Sequence, residues 1–228
     1  MQFFNEIKNI FYPNICLSCE GVLTANEHIL CTECLYDLPL INSFDINKMI
    51  VDEVFYGRVK IENAFALLSY HKKGITQHLI HQLKYKGHEE IGVFLGNWIG
   101  KELINTHNFN TIDAIVPVPL HKNKLKKRGY NQVTKFGEQL SFHLKTPFVE
   151  DILIRKSINS SQTKKNRLER WKNVDEIFYL SDKAIFENKH LLLIDDILTT
   201  GATLEACANE LLKASNVKIS IVVMAITE

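Results

Sequence analysis

The chain has 228 residues, with 27 lysines and arginines against 26 aspartates and glutamates, and so carries a formal net charge of +1. A chain of this length can bury one full α/β core and leave room for a small additional module. The balanced charge argues against a protein that coats nucleic acid by bulk charge, although local cationic patches are compatible with it. No stretch approaches the ~20 apolar residues that span a bilayer, and Glu6 and Lys8 interrupt the segment where a signal peptide would be apolar, so we expect a cytoplasmic protein.

Two C-x2-C pairs, separated by eleven residues, lie within the first 34 residues: Cys16, Cys19, Cys31 and Cys34. Each C-x2-C turn can present two thiolates to one tetrahedral ion, and this spacing is typical of a structural zinc site. Disulfides are the alternative, but a chain without a secretion signal sits in a reducing compartment, which favours metal. We therefore predict a zinc-binding module over residues 1–40, too small to fold without its metal and with no open position for catalysis.

A linker is predicted over residues 41–57, where hydrophobic periodicity is weak, and a single larger domain over residues 58–228. Five strands are expected in that domain, with helices between them; they begin at Ala64, Ile112, Phe148, His190 and Val217. Strands that alternate with helices are typical of an α/β fold with a mainly parallel central sheet flanked by helices.

Helical spacing of apolar residues predicts two helices after the first strand, over residues 75–87 and 90–104. Gly87 suits the C-cap of the first helix. Lys84 and Lys86 lie near that end, and by themselves they indicate only solvated charges that offset the helix dipole.

A dense cationic run follows the strand at residues 112–119, which ends in Pro117 and Pro119. The two prolines stop sheet pairing and stiffen the turn. The cations are Lys122, Lys124, Lys126, Lys127 and Arg128, followed by Tyr130. Such a run beside a strand end indicates an anion site or a nucleic-acid patch, with a solvated loop ahead of the next helix as the alternative.

A second cationic segment covers residues 155–173 and has only Leu168 and Trp171 as apolar anchors. Its polar and charged members include Gln162, Lys164, Lys165, Arg167, Arg170 and Lys172. This composition predicts a mobile loop or a frayed helix over the site.

The stretch from residue 190 to residue 212 combines a strand, an acidic pair, a small-residue loop and a helix start. The apolar run at 190–194 predicts a strand buried on both faces, and Asp195 and Asp196 then fall at its carboxyl end, where ligands of open α/β sheets bind. Small residues over 199–203 let backbone N–H groups approach an anion, and a helix that begins at Thr203 adds its positive dipole end. We predict a phosphate cradle here; the alternative is a tight turn whose two aspartates merely cap.

The run D-D-I-L-T-T-G-A-T resembles the phosphoribosyl pyrophosphate motif of type I phosphoribosyltransferases. The resemblance implies that Asp195 and Asp196 hold the ribose 2′- and 3′-hydroxyls and would be the catalytic pair of an active transferase. It implies a 5′-phosphate site made by Leu198, Thr199, Thr200, Gly201, Ala202 and Thr203. In such enzymes a loop after an early strand holds pyrophosphate, which here falls on Pro117, Val118 and Pro119 with Lys122 and Arg128 as cationic partners, and Mg²⁺ bridges pyrophosphate and ribose oxygens.

Further motifs together resemble the ComF family of bacterial competence proteins, which are associated with uptake of DNA as a single strand. They are the cysteine pairs, L-K-Y-K-G at 83–87, P-V-P-L at 117–120, R-G-Y-N-Q at 128–132, and Gln162 with Arg170 and Asn173. This resemblance implies a type I phosphoribosyltransferase fold with an N-terminal zinc module, and it makes Lys84 a candidate ligand contact in the pyrophosphate region. Lys165 departs from the family pattern, which more often has an apolar residue there.

Three classes of function are compatible with these motifs. The one we expect is a protein that binds phosphoribosyl pyrophosphate and Mg²⁺ and handles single-stranded DNA during natural transformation. Its candidate DNA contacts are Lys124, Lys126, Lys127, Tyr130, Lys164, Arg167, Arg170 and Trp171. The alternatives are an active phosphoribosyltransferase that acts on an unidentified base or amine, and an adaptor whose zinc module docks a helicase or an uptake-channel protein.

Overall fold

A four-stranded parallel sheet forms the centre of the protein, in a computed structural model that describes residues 13–41, 44–156 and 178–227. The strands are β1 (Ala64–Ser69), β2 (Ala114–Pro117), β5 (His190–Leu198) and β6 (Lys218–Ile226). Their order in the sheet is β1-β6-β5-β2, and every neighbouring pair is parallel. Their near-continuous apolar sequences fit burial on both faces, which confirms the predicted α/β fold class.

Both edges of this sheet carry a short additional segment. Leu40 forms an antiparallel bridge to Leu68, and Phe148 forms a parallel bridge to Ile115. The strand predicted to start at Phe148 is therefore reduced to one bridge, because the exposed Glu150 and Asp151 interrupt the apolar run and the chain bends there. The chain then forms a separate antiparallel pair, β3 (Leu153–Arg155) with β4 (Phe178–Leu180).

Helices cover both faces of the sheet. The helices are α1 (Thr32–Tyr36), α2 (Phe44–Phe55), α3 (Ile75–Tyr85), α4 (Glu90–Asn105), α5 (Lys122–Arg128), α6 (Thr134–Leu144) and α7 (Ala202–Leu211). Alternate residues of β5 enter different cores. Leu192 and Ile194 pack with α3, α4 and α6, whereas Leu191 and Leu193 pack with α2, α7 and the β3–β4 pair. Within the described ranges, none of these helices combines the length and the apolar character needed to cross a bilayer.

Helices α4 and α6 pack closely because glycines leave room between them. A Cβ at Gly96 would lie 2.8 Å from the Cβ of Gln139, and a Cβ at Gly100 would lie 2.5 Å from Cδ2 of His143. Real side chains do not approach so closely, so larger residues at these positions would push α6 away. This packing positions α6, which follows directly after the R-G-Y-N-Q motif.

The region predicted as a linker, residues 41–57, instead contains α2. Val51 and Phe55 of this helix are each only 1% exposed, and the side chain of Asn47 accepts a 3.0 Å hydrogen bond from the backbone N–H of Ala66. Ile50 and Val54 pack against the same core, so the apolar positions 50, 51, 54 and 55 recur at helical spacing, a signal that the linker prediction missed. The domain boundaries themselves stay a prediction, and Leu17 and Leu30 of the cysteine segment share one core with Leu79.

Candidate functional site

The acidic pair lies within β5 rather than after it. The strand was predicted to end at residue 194, but Asp195 stays in register with Val223 of β6 and pairing continues to Leu198. The correction has a topological reason: β6 runs alongside β5 beyond the acidic pair, whereas β2 ends at Pro117, opposite Ile194. Asp195 and Asp196 therefore border an opening on the β2 side of the sheet.

Asp196 is buried and paired on one oxygen only. Its side chain is 6% exposed, and Oδ1 accepts a 2.8 Å hydrogen bond from Nζ of Lys84. Oδ2 is buried and has no hydrogen-bond partner among the described residues. Because a buried carboxylate oxygen is costly to leave unpaired, Oδ2 is a natural acceptor for a ligand hydroxyl. Lys84, which the sequence by itself indicated only as a solvated charge, is part of this site.

Asp196 is ion-paired with Lys84, whereas the surroundings of Asp195 disfavour its charged form. Burial and the negative charge of Asp196 raise the pKa of Asp195 to about 8, although the backbone N–H of Asp196 donates a 2.8 Å hydrogen bond to it. The cations of Lys84 and Arg155 lower this pKa but do not offset the burial. Burial therefore favours the protonated form of the Asp195 carboxyl.

The loop after β5 has the form of an anion cradle. Thr199 and Thr200 are exposed, Gly201 adopts the left-handed conformation at φ 76°, and α7 begins at Ala202, one residue before its predicted start. Its N-cap residue Gly201 provides no side-chain cap, and the N–H of Ala202 makes only a long 3.5 Å bond to Oγ1 of Thr200, so the start of α7 presents N–H groups to the loop. A Cβ at Gly201 would lie 2.7 Å from Cγ1 of Val54, so glycine lets the loop close onto α2.

The Pro117–Pro119 turn is attached to β5 just before the acidic pair. The N–H of Val118 donates to the carbonyl of Ile194 at 2.9 Å, and the side chain of Asn131 donates to the carbonyl of Val118 at 3.2 Å. Pro117, Pro119 and Lys122 line a cavity of about 610 Å³.

Arg155 lines the same cavity and was missed as an individual site residue by the sequence analysis. Its Nε is buried without a hydrogen-bond partner in the described part of the chain, and its guanidinium lies 5.2 Å from the centre of the Phe178 ring. The available signal was its position as the first cation of the 155–173 segment, directly after an apolar run. Arg155 adds a positive charge beside the opening.

The cationic run at 122–128 forms helix α5 and is not the solvated loop of the alternative interpretation. The side chain of His121 caps the start of α5 by accepting a 3.1 Å hydrogen bond from the N–H of Asn123, and Gly129 at φ 88° ends it. A helix sends neighbouring side chains in different directions, so Lys122 lines the 610 Å³ cavity while other cations of α5 do not.

Three of those other cations line a second cavity, of about 260 Å³, with residues of the L-K-Y-K-G motif. Its lining consists of Lys84, Tyr85, Gly87, Lys124, Lys127, Arg128 and Tyr130. Arg128, predicted for pyrophosphate, thus lies beside Lys124, Lys127 and Tyr130, predicted for DNA. Lys126 lines neither cavity, and Lys164, Arg167, Arg170 and Trp171 lie outside the described residues.

The four N-terminal cysteines converge as predicted. Their Sγ atoms all lie within 4.8 Å of one another, and those of Cys19 and Cys31 are 3.7 Å apart. Zinc–sulfur bonds of about 2.3 Å in a tetrahedron give sulfur–sulfur edges of about 3.8 Å, so the cluster fits one zinc ion. All four are free thiols, which disfavours the disulfide alternative.

The thiols of this cluster differ in acidity: burial raises the pKa of Cys34 to about 12, whereas the pKa of Cys16 is lowered. Burial raises the pKa of the Cys16 thiol, but hydrogen bonds from the backbone of Cys19, Cys31 and Ser18 outweigh burial and lower it to about 7. Glu27 ties the intervening loop together because its carboxylate accepts four hydrogen bonds from the backbone and hydroxyls of Thr24 and Thr32. These bonds lower the pKa of Glu27 to about 2.

Comparison with known proteins adds an independent line of support. The phosphoribosyl transferase domain family matches residues 134–227, a range that includes α6, β5, the acidic pair, the loop and β6. Over 215 residues the chain is 28% identical to Competence protein F of Haemophilus influenzae, covering 89% of this chain and 93% of that protein. It is 29% identical over 138 residues to the DNA utilization protein YhgH of Escherichia coli, covering 59% of this chain and 60% of that protein.

A third relative, Competence protein ComFC of Bacillus subtilis, is 36% identical over 100 residues, 44% of this chain and 38% of that protein. The chain thus spans less than two thirds of the YhgH and ComFC proteins but nearly all of the Haemophilus protein. Residues 134–227 thus match the phosphoribosyl transferase domain family, and the chain is a homologue of Competence protein F and ComFC, in line with the resemblance of its motifs.

Proposed function

We propose that this protein binds phosphoribosyl pyrophosphate with Mg²⁺ and serves the handling of single-stranded DNA during natural transformation. The relatives named competence proteins and DNA utilization protein support the biological setting. A cytoplasmic location, on the inner side of the uptake route, belongs to the same proposal.

The observation that carries the ligand assignment is Oδ2 of Asp196, which is buried without a partner among the described residues, on the strand that leads through the small-residue loop to the start of α7. Ribose hydroxyls are donors, and Oδ2 is a buried acceptor that lacks a donor. The exposed hydroxyls of Thr199 and Thr200 and the N–H groups at the start of α7 offer donors to a phosphate. One ligand with vicinal hydroxyls at one end of a ribose and a phosphate at the other would satisfy both sets.

A divalent cation fits the chemistry of this opening. Mg²⁺ prefers oxygen ligands and commonly binds through one or two carboxylates together with substrate phosphates, and the oxygens of Asp195 and Asp196 are of this kind. When bound, the ion would offset the charge between the carboxylates and the pyrophosphate. Lys122 and Arg155 would contribute positive charge to the pyrophosphate from the cavity beside the Pro117–Pro119 turn, whose lining also includes Glu150 and Asp151.

Calorimetric titration of phosphoribosyl pyrophosphate, with and without Mg²⁺, tests this assignment. Replacing Asp195 and Asp196 together with Asn preserves their shape but removes their charge, and affinity should fall at least about tenfold, which is about 1.4 kcal/mol. Asp182→Asn is the matched control, since Asp182 is an exposed carboxylate that accepts a 2.9 Å hydrogen bond from the backbone N–H of Ala184. Equal affinity of the double variant and the control would place the ligand elsewhere.

An active transferase is the second candidate, and the 610 Å³ cavity favours it. This volume is within the range of about 300–1,000 Å³ for small-molecule sites, so an acceptor base or amine could occupy it beside the pyrophosphate. Catalysis would then come mainly from charge stabilisation of the leaving pyrophosphate by the metal, Lys122 and Arg155. Steady pyrophosphate release with a base or amine supplied would establish the enzyme, whereas tight binding without release would favour a binding protein.

A further inference from the structure

The cavity between the end of α3 and helix α5 combines two kinds of wall. Tyr85 and Tyr130 supply aromatic surface, and Lys84, Lys124, Lys127 and Arg128 supply positive charge. Its volume is about 260 Å³. No carboxylate lines it among the described residues, so its charge is uniformly positive.

The aromatic walls are held in place by specific contacts. The hydroxyl of Tyr130 donates to the carbonyl of Leu83, which is the residue before Lys84 in α3. The guanidinium of Arg128 lies 5.5 Å from the centre of the Tyr85 ring and also bonds the side chain of Gln132. Tyr85 is nevertheless 65% exposed. An apolar ring that is positioned by a cation and left open to solvent is a platform that a flat ligand can cover.

The cations at the rim are available to an anion. Lys124, Lys127 and Arg128 have no carboxylate partner in the described part of the chain, whereas the ammonium of Lys84 is already bonded to Asp196. Three unneutralised charges on one short helix, next to exposed aromatic surface, are suited to a phosphate group attached to a planar base.

We infer that this cavity binds one unpaired nucleotide, with its base against Tyr85 and Tyr130 and its phosphate on Lys124, Lys127 and Arg128. The inference rests on the proposed role in single-strand handling and names the nucleotide subsite for it. A volume just below the usual range for small-molecule pockets suits one nucleotide. A base within a duplex has both faces stacked and cannot cover the ring, so the site selects unpaired bases. Tyr85 was not among the candidate residues identified from the sequence.

A free nucleotide and a nucleotide within a strand would present the same chemistry, and two probes distinguish them. Anisotropy of a fluorescent twelve-residue oligothymidylate at low salt reports strand binding, and calorimetry with thymidine monophosphate reports free-nucleotide binding. Tyr85→Ala should weaken the binding of at least one probe about fivefold or more, the lower end of base–aromatic stacking. Tyr85→Phe should restore it, since stacking needs the ring and not the hydroxyl.

Phe142→Ala is the control for Tyr85→Ala, and Lys101→Gln is the control for a second test variant, Lys124→Gln. Phe142 is 74% exposed on α6 and does not line the cavity, so Phe142→Ala should leave both probes unchanged. Lys124→Gln should reduce the slope of log affinity against log salt by about 0.7 for the oligonucleotide, as expected for one phosphate contact on a single strand. Lys101→Gln, an exposed charge on α4, should not change that slope.

The outcomes separate this inference from the proposed function. If the wild-type protein binds either probe and Tyr85→Ala leaves the binding of both unchanged, the cavity is not the subsite, although the proposed function stands. If the wild-type protein binds neither probe at low salt, the single-strand role and the cavity inference both fail. Titration of phosphoribosyl pyrophosphate into each variant checks that the fold is retained.

Discussion

The ammonium group of Lys84 lies 2.8 Å from Oδ1 of Asp196, although the two residues are 112 positions apart in the sequence. This ion pair connects the L-K-Y-K-G motif at the end of α3 with the acidic pair of β5. Lys84 also lines the cavity with the two tyrosines, so one side chain belongs to both candidate sites. An anion that attracts Lys84 into the cavity would compete with Asp196 for the same ammonium.

Removing one member of this pair should destabilise the fold more than removing both. Lys84→Met leaves the carboxylate of Asp196, only 6% exposed, without its cation. Removing one partner of a fully buried pair costs about 3–5 kcal/mol, and the partial exposure of Lys84 places our expectation lower, at about 2 kcal/mol. Chemical denaturation of Lys84→Met, Asp196→Asn and the double variant measures the coupling; strictly additive changes in the free energy of unfolding would contradict the ion pair.

Asp195 should make the ligand-free protein less stable as pH rises. Its folded-state pKa is raised to about 8, whereas the carboxyl of an unfolded chain titrates near about 3.9. Between these values the unfolded state releases a proton that the folded state keeps, so the free energy of unfolding falls through this window and levels off above it. Asp195→Asn should flatten this pH dependence and raise the melting temperature at pH 8. An unchanged pH profile would show that Asp195 is ionised in the folded protein.

Freshly purified protein should carry one zinc ion per chain, because four converging thiols form a closed tetrahedral site. Cys19→Ser should lose the ion, and Cys207→Ala, which removes a buried thiol outside the cluster, should keep it. We expect the segment around the cysteines to unfold first, since it depends on the metal. Metal analysis that finds no zinc in the wild-type protein would contradict the assignment.

The loss of zinc should also weaken the larger domain without unfolding it. Leu17 and Leu30 of the cysteine segment share a core with Leu79 of α3, so their release exposes apolar surface there. Thermal unfolding of Cys19→Ser should begin at a lower temperature while binding of phosphoribosyl pyrophosphate persists. Complete loss of that binding would show that the predicted boundary near residue 40 does not separate independent units.

Gly201→Ala should impair the phosphate loop. A residue with a Cβ is strained by about 1–2 kcal/mol in the left-handed conformation, and here the Cβ would also lie 2.7 Å from Cγ1 of Val54. Gly57→Ala is the matched control, because Gly57 has a similar φ of 68° but open space around it. Binding of phosphoribosyl pyrophosphate should fall at least about tenfold in the first variant and stay near wild type in the second. Similar affinities in the two variants would mean that the loop tolerates displacement.

Features coded by neighbouring residues could be predicted from the sequence. The spacing of the cysteines predicts their convergence, because a C-x2-C turn brings two thiols to one side whatever surrounds it. The apolar run, acidic pair, small residues and helix pattern of residues 190–212 predict the start of the strand, the loop and, to within one residue, the start of α7, although β5 continues to Leu198 instead of ending at residue 194. These signals are local, so the chain needs no distant contact to express them.

Features that depend on distant residues were decided only by the tertiary structure. The local helix pattern indicated only a solvated charge at Lys84, and the family resemblance made it a candidate ligand contact. Neither predicted that the packing of α3 beside β5 makes Lys84 the partner of Asp196. The length of β5 depends on β6 as its neighbour, and α2 forms in the predicted linker because Val51 and Phe55 find the core beneath them. Ion pairs, strand ends and marginal helices take their stability from contacts across the fold, and no local pattern specifies those contacts.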